Sequence, residues 1–146
     1  MTNPFDFRTI VFAKHAQHVV LVHFPIALFT MGVACDLVAL RSHNPRAAVV
    51  ARYNLIVAAL SVPLVWLTGL LAWRLVLGAP PFKGILLMHL IAGVLAGSVV
   101  VAAGWLHLRH PRSATAWRLS LELVGLLLVG LTAHLGGFLS GVNQPG

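Results

Sequence analysis

The stretch Lys14-His15-Ala16-Gln17-His18-Val19-Val20-Leu21-Val22-His23-Phe24-Pro25-Ile26-Ala27-Leu28 decides how the rest of the chain is interpreted. It begins a long apolar run, yet it carries three histidines and a proline. Imidazole is costly to bury in hydrocarbon unless a partner satisfies its polar nitrogens. The histidines are therefore either hydrogen-bonded to their neighbours or ligands of a metal or cofactor.

The composition indicates an integral membrane protein. The 146-residue chain is 59% hydrophobic and 9% charged, whereas a soluble domain carries about 25% charged residues. Its length suits a single domain over residues 1–146. The net charge of +7 does not imply a nucleic-acid partner, because basic loops orient membrane proteins and contact the lipid bilayer. A single cysteine, Cys35, excludes an intrachain disulfide and paired-cysteine metal or haem-attachment motifs.

Four windows without charged residues predict four transmembrane helices. The windows are 15–35, 53–73, 84–108 and 123–146, and about 20 apolar residues span a bilayer as a helix. The expected helices are 17–40, 52–74, 85–107 and 117–140. Because the connections are short and contain proline or glycine, the predicted fold is an all-α, up-down-up-down four-helix bundle.

Loop charges predict the orientation. Six arginines flank the first and third loops, whereas the opposite side has four basic residues diluted by an acid. The six are Arg41, Arg46, Arg52, Arg109, Arg112 and Arg118, and the four are Arg8, Lys14, Arg74 and Lys83. The positive-inside rule then places the first and third loops in the cytoplasm. We therefore expect both termini outside the cytoplasm, which is the periplasm in a Gram-negative cell.

Three histidines are expected at one depth near the periplasmic face. His23 lies near the start of the first helix, His89 near the start of the third and His134 near the end of the fourth. In an antiparallel bundle these positions share one side, roughly 9–13 Å inside the membrane boundary at ~1.5 Å per residue. His18 is on the same side, about 7.5 Å shallower. Imidazoles on facing helices are common metal and haem ligands.

Three hypotheses follow from this placement. The preferred one is a haem b electron carrier with His23 and His89 as axial ligands, His134 as an alternative ligand, and Arg74, with Lys83 or Lys14, binding the propionates. It would pass electrons between quinol and a periplasmic redox protein, as a subunit of a larger assembly or a homo-oligomer. The second is a copper, zinc or iron site formed by His23, His89 and His134. The third is a cofactor-free assembly subunit with structural histidines.

Catalytic motifs are absent from the sequence. It has no GxSxG, HExxH or P-loop pattern, so an electron-transfer component is favoured over a stand-alone enzyme. Asp36 is expected to pair with Arg41 or Arg52. Glu122 follows Arg118 by four residues, the spacing of a helix-surface ion pair.

The motif from His18 to Leu28, His-Val-Val-Leu-Val-His-Phe-Pro-Ile-Ala-Leu, resembles the bacterial membrane family called domain of unknown function 2231. Further matching segments are Thr68-Gly69-Leu70 in the second helix, His89 in the third and Gly136-Gly137-Phe138-Leu139 in the fourth. Val19 departs from the proline that the family often has there. The resemblance implies a four-helix fold located in the bacterial inner (plasma) membrane, and it carries no assigned activity.

Overall fold

The computed structural model of the chain describes residues 16–110 and 116–141, without the side chains of Ala16 and Ala116. These residues form four helices, α1 (Ala16–Ser42), α2 (Pro45–Leu75), α3 (Gly84–Arg109) and α4 (Ala116–Leu139). Each is long and apolar enough to cross a membrane, which confirms the all-α class. Arg8, Lys14, His15 and Arg112, on which some of the predictions depend, lie outside the described residues.

Side-chain contacts show how the helices are arranged. Residue Gly32 of α1 packs on Leu55 of α2, and Gly104 of α3 packs on Ala59 of α2. At the other end, Gly136 of α4 packs on His89 of α3. These pairings are consistent with the predicted up-down order. The α1–α4 interface is the smallest of the four between neighbouring helices.

Helix α2 begins earlier than predicted. It starts at Pro45 rather than near residue 52, because Asn44 caps it. The Asn44 side-chain oxygen accepts hydrogen bonds from the backbone amides of Arg46 (3.0 Å) and Ala47 (3.3 Å). Proline fits the first helical turn, where its missing amide would have no intrahelical acceptor. The charge-free window therefore marked the apolar part of α2, whereas the cap sets its start.

The connection between α2 and α3 is held by aromatic residues. Trp73 Nε1 donates a 2.9 Å hydrogen bond to the Pro80 carbonyl, and the indole stacks on Phe82 with ring centroids 4.7 Å apart. This contact fixes the C-terminal end of α2 beside the N-terminal end of α3. We call this side of the bundle, which carries His18 and His89, the imidazole end. The opposite side, which carries Asp36 and Glu122, is the carboxylate end.

The core lies at mid-depth and uses small residues at its closest approaches. Its buried residues are Phe29, Val33, Leu55, Ala58, Val62, Val100 and Ala103. Phe29 reaches α4 at Gly125, where an added Cβ would lie 2.7 Å from the ring. Most large apolar side chains instead lie on the outside of the bundle. Such a surface suits lipid, in which helices associate through close packing rather than the hydrophobic effect.

Candidate functional site

His18 faces the interior of the bundle from α1. Its Nδ1 lies 3.2 Å from the Thr68 hydroxyl on α2. That hydroxyl is 3.0 Å from the carbonyl oxygens of both Leu64 and Val65, so its own hydrogen is directed to its helix. The Thr68 oxygen must then accept a hydrogen bond from His18, which assigns the proton of the neutral ring to Nδ1.

His89 has the same tautomer for a similar reason. Its Nδ1 lies 3.1 Å from the Thr132 carbonyl oxygen on α4. A carbonyl can only accept, so Nδ1 donates and the lone pair is on Nε2. Neither His18 nor His89 forms an Nε2 hydrogen bond to a described residue. Two imidazoles at the imidazole end therefore present unused Nε2 lone pairs.

A glycine of the adjacent helix lies against each of these rings. A Cβ added at Gly69 of α2 would lie 3.1 Å from His18 Cε1, and one added at Gly136 of α4 would lie 3.1 Å from His89 Cε1. Both histidines are half-buried. They lie at the same end of the bundle on α1 and α3, two helices that are not neighbours in it.

His23 and His134 are placed differently from His18 and His89. His23 is exposed, and its Nδ1 bonds the Val19 carbonyl of its own helix at 2.5 Å. His134 is exposed and lies edge-on to Phe138, with centroids 5.1 Å apart. The predicted triad of His23, His89 and His134 is not a group of converging ligand atoms in the structure. At 100° per residue, the five positions from His18 to His23 turn the second ring well away from the first.

The predicted propionate partners lie at the ends of helices. Arg74 is exposed in the last turn of α2 and Lys83 is exposed just before α3. Neither side chain forms a hydrogen bond or ion pair with a described residue. Trp66 packs on α3, where its Nε1 donates to the Gly93 carbonyl at 3.3 Å.

The carboxylate end has a second cluster that the sequence interpretation missed. Asp36, His107 and Glu122 each offer a ligand atom, and these atoms lie within 4.8 Å of one another. His107 Nε2 is 2.7 Å from Glu122 Oε1, and Arg118 Nη2 is 2.7 Å from His107 Nδ1. All four side chains are at most 3% exposed.

Two expectations about the acids are wrong. Asp36 makes no ion pair with Arg41 or Arg52, because it points into the bundle. Glu122 and Arg118 are not a helix-surface pair, since both are buried and Glu122 pairs with His107. The spacing along the helices could have predicted that these side chains point into the bundle. Asp36 lies 18 residues after His18 on α1, and His107 lies 18 residues after His89 on α3. Eighteen residues are five turns, so each pair shares one helix face.

Comparison with known families supports the resemblance noted from the motifs. Residues 14–144 match the family of predicted membrane proteins DUF2231, and the chain belongs to that family. No curated protein and no solved structure matches the chain.

Proposed function

We propose that this member of the DUF2231 family is a membrane electron-transfer protein that binds haem b between His18 and His89. The observation that carries the proposal is the pair of inward imidazoles whose Nδ1 atoms are hydrogen-bonded and whose Nε2 atoms are not. Haem-ligating and metal-ligating histidines commonly use one ring nitrogen for the metal and donate the other to an oxygen. Thr68 and the Thr132 carbonyl supply those oxygens here.

The surroundings of the two imidazoles suit a large, flat, mostly apolar cofactor. Gly69 and Gly136 let the rings of His18 and His89 pack directly on the backbone of the adjacent helices, which holds each ring in place without a bulky side chain beside it. Four apolar helices surround the pair, and the small α1–α4 interface is where the bundle can widen at least cost. Haem b supplies reversible one-electron chemistry, and the protein sets its ligands and its exclusion from water.

This proposal replaces one ligand of the sequence-based hypothesis. His18 takes the place of His23, because His23 is exposed and bonded to its own helix. His89 is retained, and His134 becomes a surface residue. Arg74 and Lys83 stay candidates for the propionates, because both lie at the imidazole end of the bundle.

The cellular setting is part of the same proposal. Basic residues at the carboxylate end favour the cytoplasmic side for that end, which places the haem site near the periplasmic face of the inner membrane. The protein would exchange electrons between quinol and a periplasmic redox protein, as a subunit of a larger complex or as a homo-oligomer.

Four single alanine variants test the ligand assignment. Full-length protein is extracted gently from haem-replete cells, and its absorption spectrum and metal content are measured on the same sample. Wild type is expected to show a Soret band with about one iron per chain. His18→Ala and His89→Ala should lose the band, since each removes an axial ligand. His23→Ala and His134→Ala are the matched controls and should keep it.

The possible results separate the hypotheses. A colourless protein with copper or zinc that depends on His18 and His89 would replace haem with a non-haem metal at the same pair. A colourless, metal-free protein would leave a cofactor-free membrane subunit. A Soret band that needs His23 but not His18 would restore the original axial pair.

A further inference from the structure

The buried cluster at the carboxylate end has the composition of a cation site. Asp36 comes from α1, His107 from α3 and Glu122 from α4, with ligand atoms within 4.8 Å of one another. Their side chains are 2%, 2% and 1% exposed. We propose that these three residues bind one divalent transition-metal ion of the zinc or manganese type.

Two buried carboxylate oxygens of the cluster have no hydrogen-bond partner in the described part of the chain, although the Arg118 guanidinium lies beside His107. Asp36 Oδ2 and Glu122 Oε2 are shielded from solvent and have no hydrogen-bond partner in the described residues. Asp36 makes no hydrogen bond or ion pair to any of those residues. An ionised carboxylate in such a place is costly unless a cation or donor compensates it. A bound cation would satisfy both oxygens.

The donor set selects the class of metal. Two carboxylates and one imidazole match the mixed oxygen and nitrogen ligands of Zn²⁺, Mn²⁺ or Fe²⁺. Ca²⁺ and Mg²⁺ prefer oxygen ligands alone or with water. His107 Nε2 lies 2.7 Å from Glu122 Oε1 and 2.6 Å from Arg118 Nη2. A cation bound by Nε2 and Oε1 would displace any proton held between them, so its binding should weaken at low pH.

Arg118 sets the affinity of this cation site. Its Nη2 lies against the His107 imidazole and its Nη1 donates to the His110 carbonyl at 3.1 Å. A guanidinium beside the ligands repels a cation. When the imidazole turns towards the metal, the Arg118 guanidinium can stay hydrogen-bonded to the His110 carbonyl at the C-terminal end of α3. Removing the guanidinium charge should therefore tighten metal binding.

A metal here would join the helices that contact each other least. Asp36 lies on α1 and Glu122 on α4, and the α1–α4 interface is the smallest between neighbouring helices. A shared ion would link α1 directly to α3 and α4. Metal binding should accordingly raise the thermal stability of the whole bundle.

The experiment uses the full-length protein in detergent after removal of metal with a chelator. Zn²⁺ and Mn²⁺ are titrated, with Mg²⁺ as a control, and retained metal and the unfolding temperature are measured. We expect about one Zn²⁺ or Mn²⁺ per chain. Asp36→Asn and Glu122→Gln should lower the affinity more than about tenfold, because even outer-sphere partners contribute that much. Arg118→Gln should raise it.

Two controls keep the test specific. His43→Asn removes an exposed histidine beside the same end and should leave binding unchanged. A second control, Ser61→Ala, removes a hydroxyl whose hydrogen bond stays within α2 and should leave binding unchanged.

The stability of metal-free Asp36→Asn separates ligand loss from misfolding. This variant removes an uncompensated buried charge, so without metal it should unfold at a temperature no lower than wild type. Metal should no longer raise that temperature. Wild type that binds no more metal than Asp36→Asn would overturn the proposal. A protonated-carboxyl infrared band in metal-exposed wild type that disappears in Asp36→Asn would also overturn it, because a proton would then occupy the site.

Discussion

At the scale of single residues, hydrogen bonds decide which histidines have lone pairs to offer. His18 and His89 each give Nδ1–H to an oxygen of an adjacent helix, whereas His23 bonds to its own helix. An adjacent helix holds the ring in one orientation and sets its tautomer. A hydrogen bond to a carbonyl of the same helix, as in His23, instead holds the ring at the helix surface. The residue type alone does not distinguish these cases.

Thr68→Val tests the role of the hydrogen bond on His18. The variant keeps the shape of the side chain but removes the oxygen that accepts from Nδ1. An imidazole without this bond is a weaker electron donor, so haem retention should fall about tenfold or more and the midpoint potential should become more positive. Haem titration and redox titration measure the two effects.

The controls for this test are Thr68→Ser and Ser61→Ala. Serine restores the hydroxyl and should recover both values. Ser61 is on the same helix and bonds only the Val57 carbonyl among the described residues, so its loss should change neither. A Thr68→Val protein with unchanged haem retention and potential would show that Thr68 does not orient His18.

At the scale of helices, glycines of α3 set its distance from α2. Gly97 receives the Trp66 indole, where an added Cβ would lie 2.6 Å from Cζ2. At Gly104 an added Cβ would contact Ala59 and would lie 2.8 Å from the Leu55 carbonyl oxygen. Backbone cannot move aside as a flexible side chain can. The α2–α3 spacing near the carboxylate end therefore depends on Gly104.

Gly104→Ala should destabilise the bundle. The added methyl group forces α2 and α3 apart, at a cost of about 1–3 kcal/mol for overpacking. The matched control is Gly130→Ala, since a Cβ at that helical position meets nothing within 4 Å. The control should be neutral or slightly stabilising, because alanine favours helix over glycine by up to about 1 kcal/mol. Thermal unfolding in detergent measures both, and equal unfolding temperatures would contradict the prediction.

At the scale of the whole molecule, the two ends differ in buried chemistry and in surface charge. The imidazole end has two half-buried histidines, and the carboxylate end buries two acids, a histidine and an arginine. The exposed arginines Arg41, Arg46 and Arg109 surround the carboxylate end. Arg109 lies over the Trp105 ring, 4.4 Å from its centroid, as expected at a membrane interface.

Reporter fusions test the orientation of the chain. Alkaline phosphatase is active only in the periplasm, so a C-terminal fusion to the full chain should be active. A fusion after Arg109, at the end of α3, should be inactive, because loops with many basic residues stay in the cytoplasm. A fluorescent protein that folds only in the cytoplasm, fused at the same two positions, should show the opposite pattern. Reversed activities would place the imidazole end in the cytoplasm.

The sequence alone determined the membrane class, the number of spans and the family. Uncharged windows and loop residues are local properties, and the cost of exposing backbone to lipid forces such windows into helices. The sequence also put His18 and His89 at one side of the membrane, because depth follows from position along an antiparallel bundle.

Only the tertiary structure decided which side chains meet. Depth says nothing of rotation, and a histidine five positions from another on a helix points elsewhere. Rotation about the helix axis depends on packing between helices, which is why His18 rather than His23 points into the bundle. The same packing brought Asp36, His107 and Glu122 together from three helices. The residues next to each of them in the chain gave no indication of this cluster.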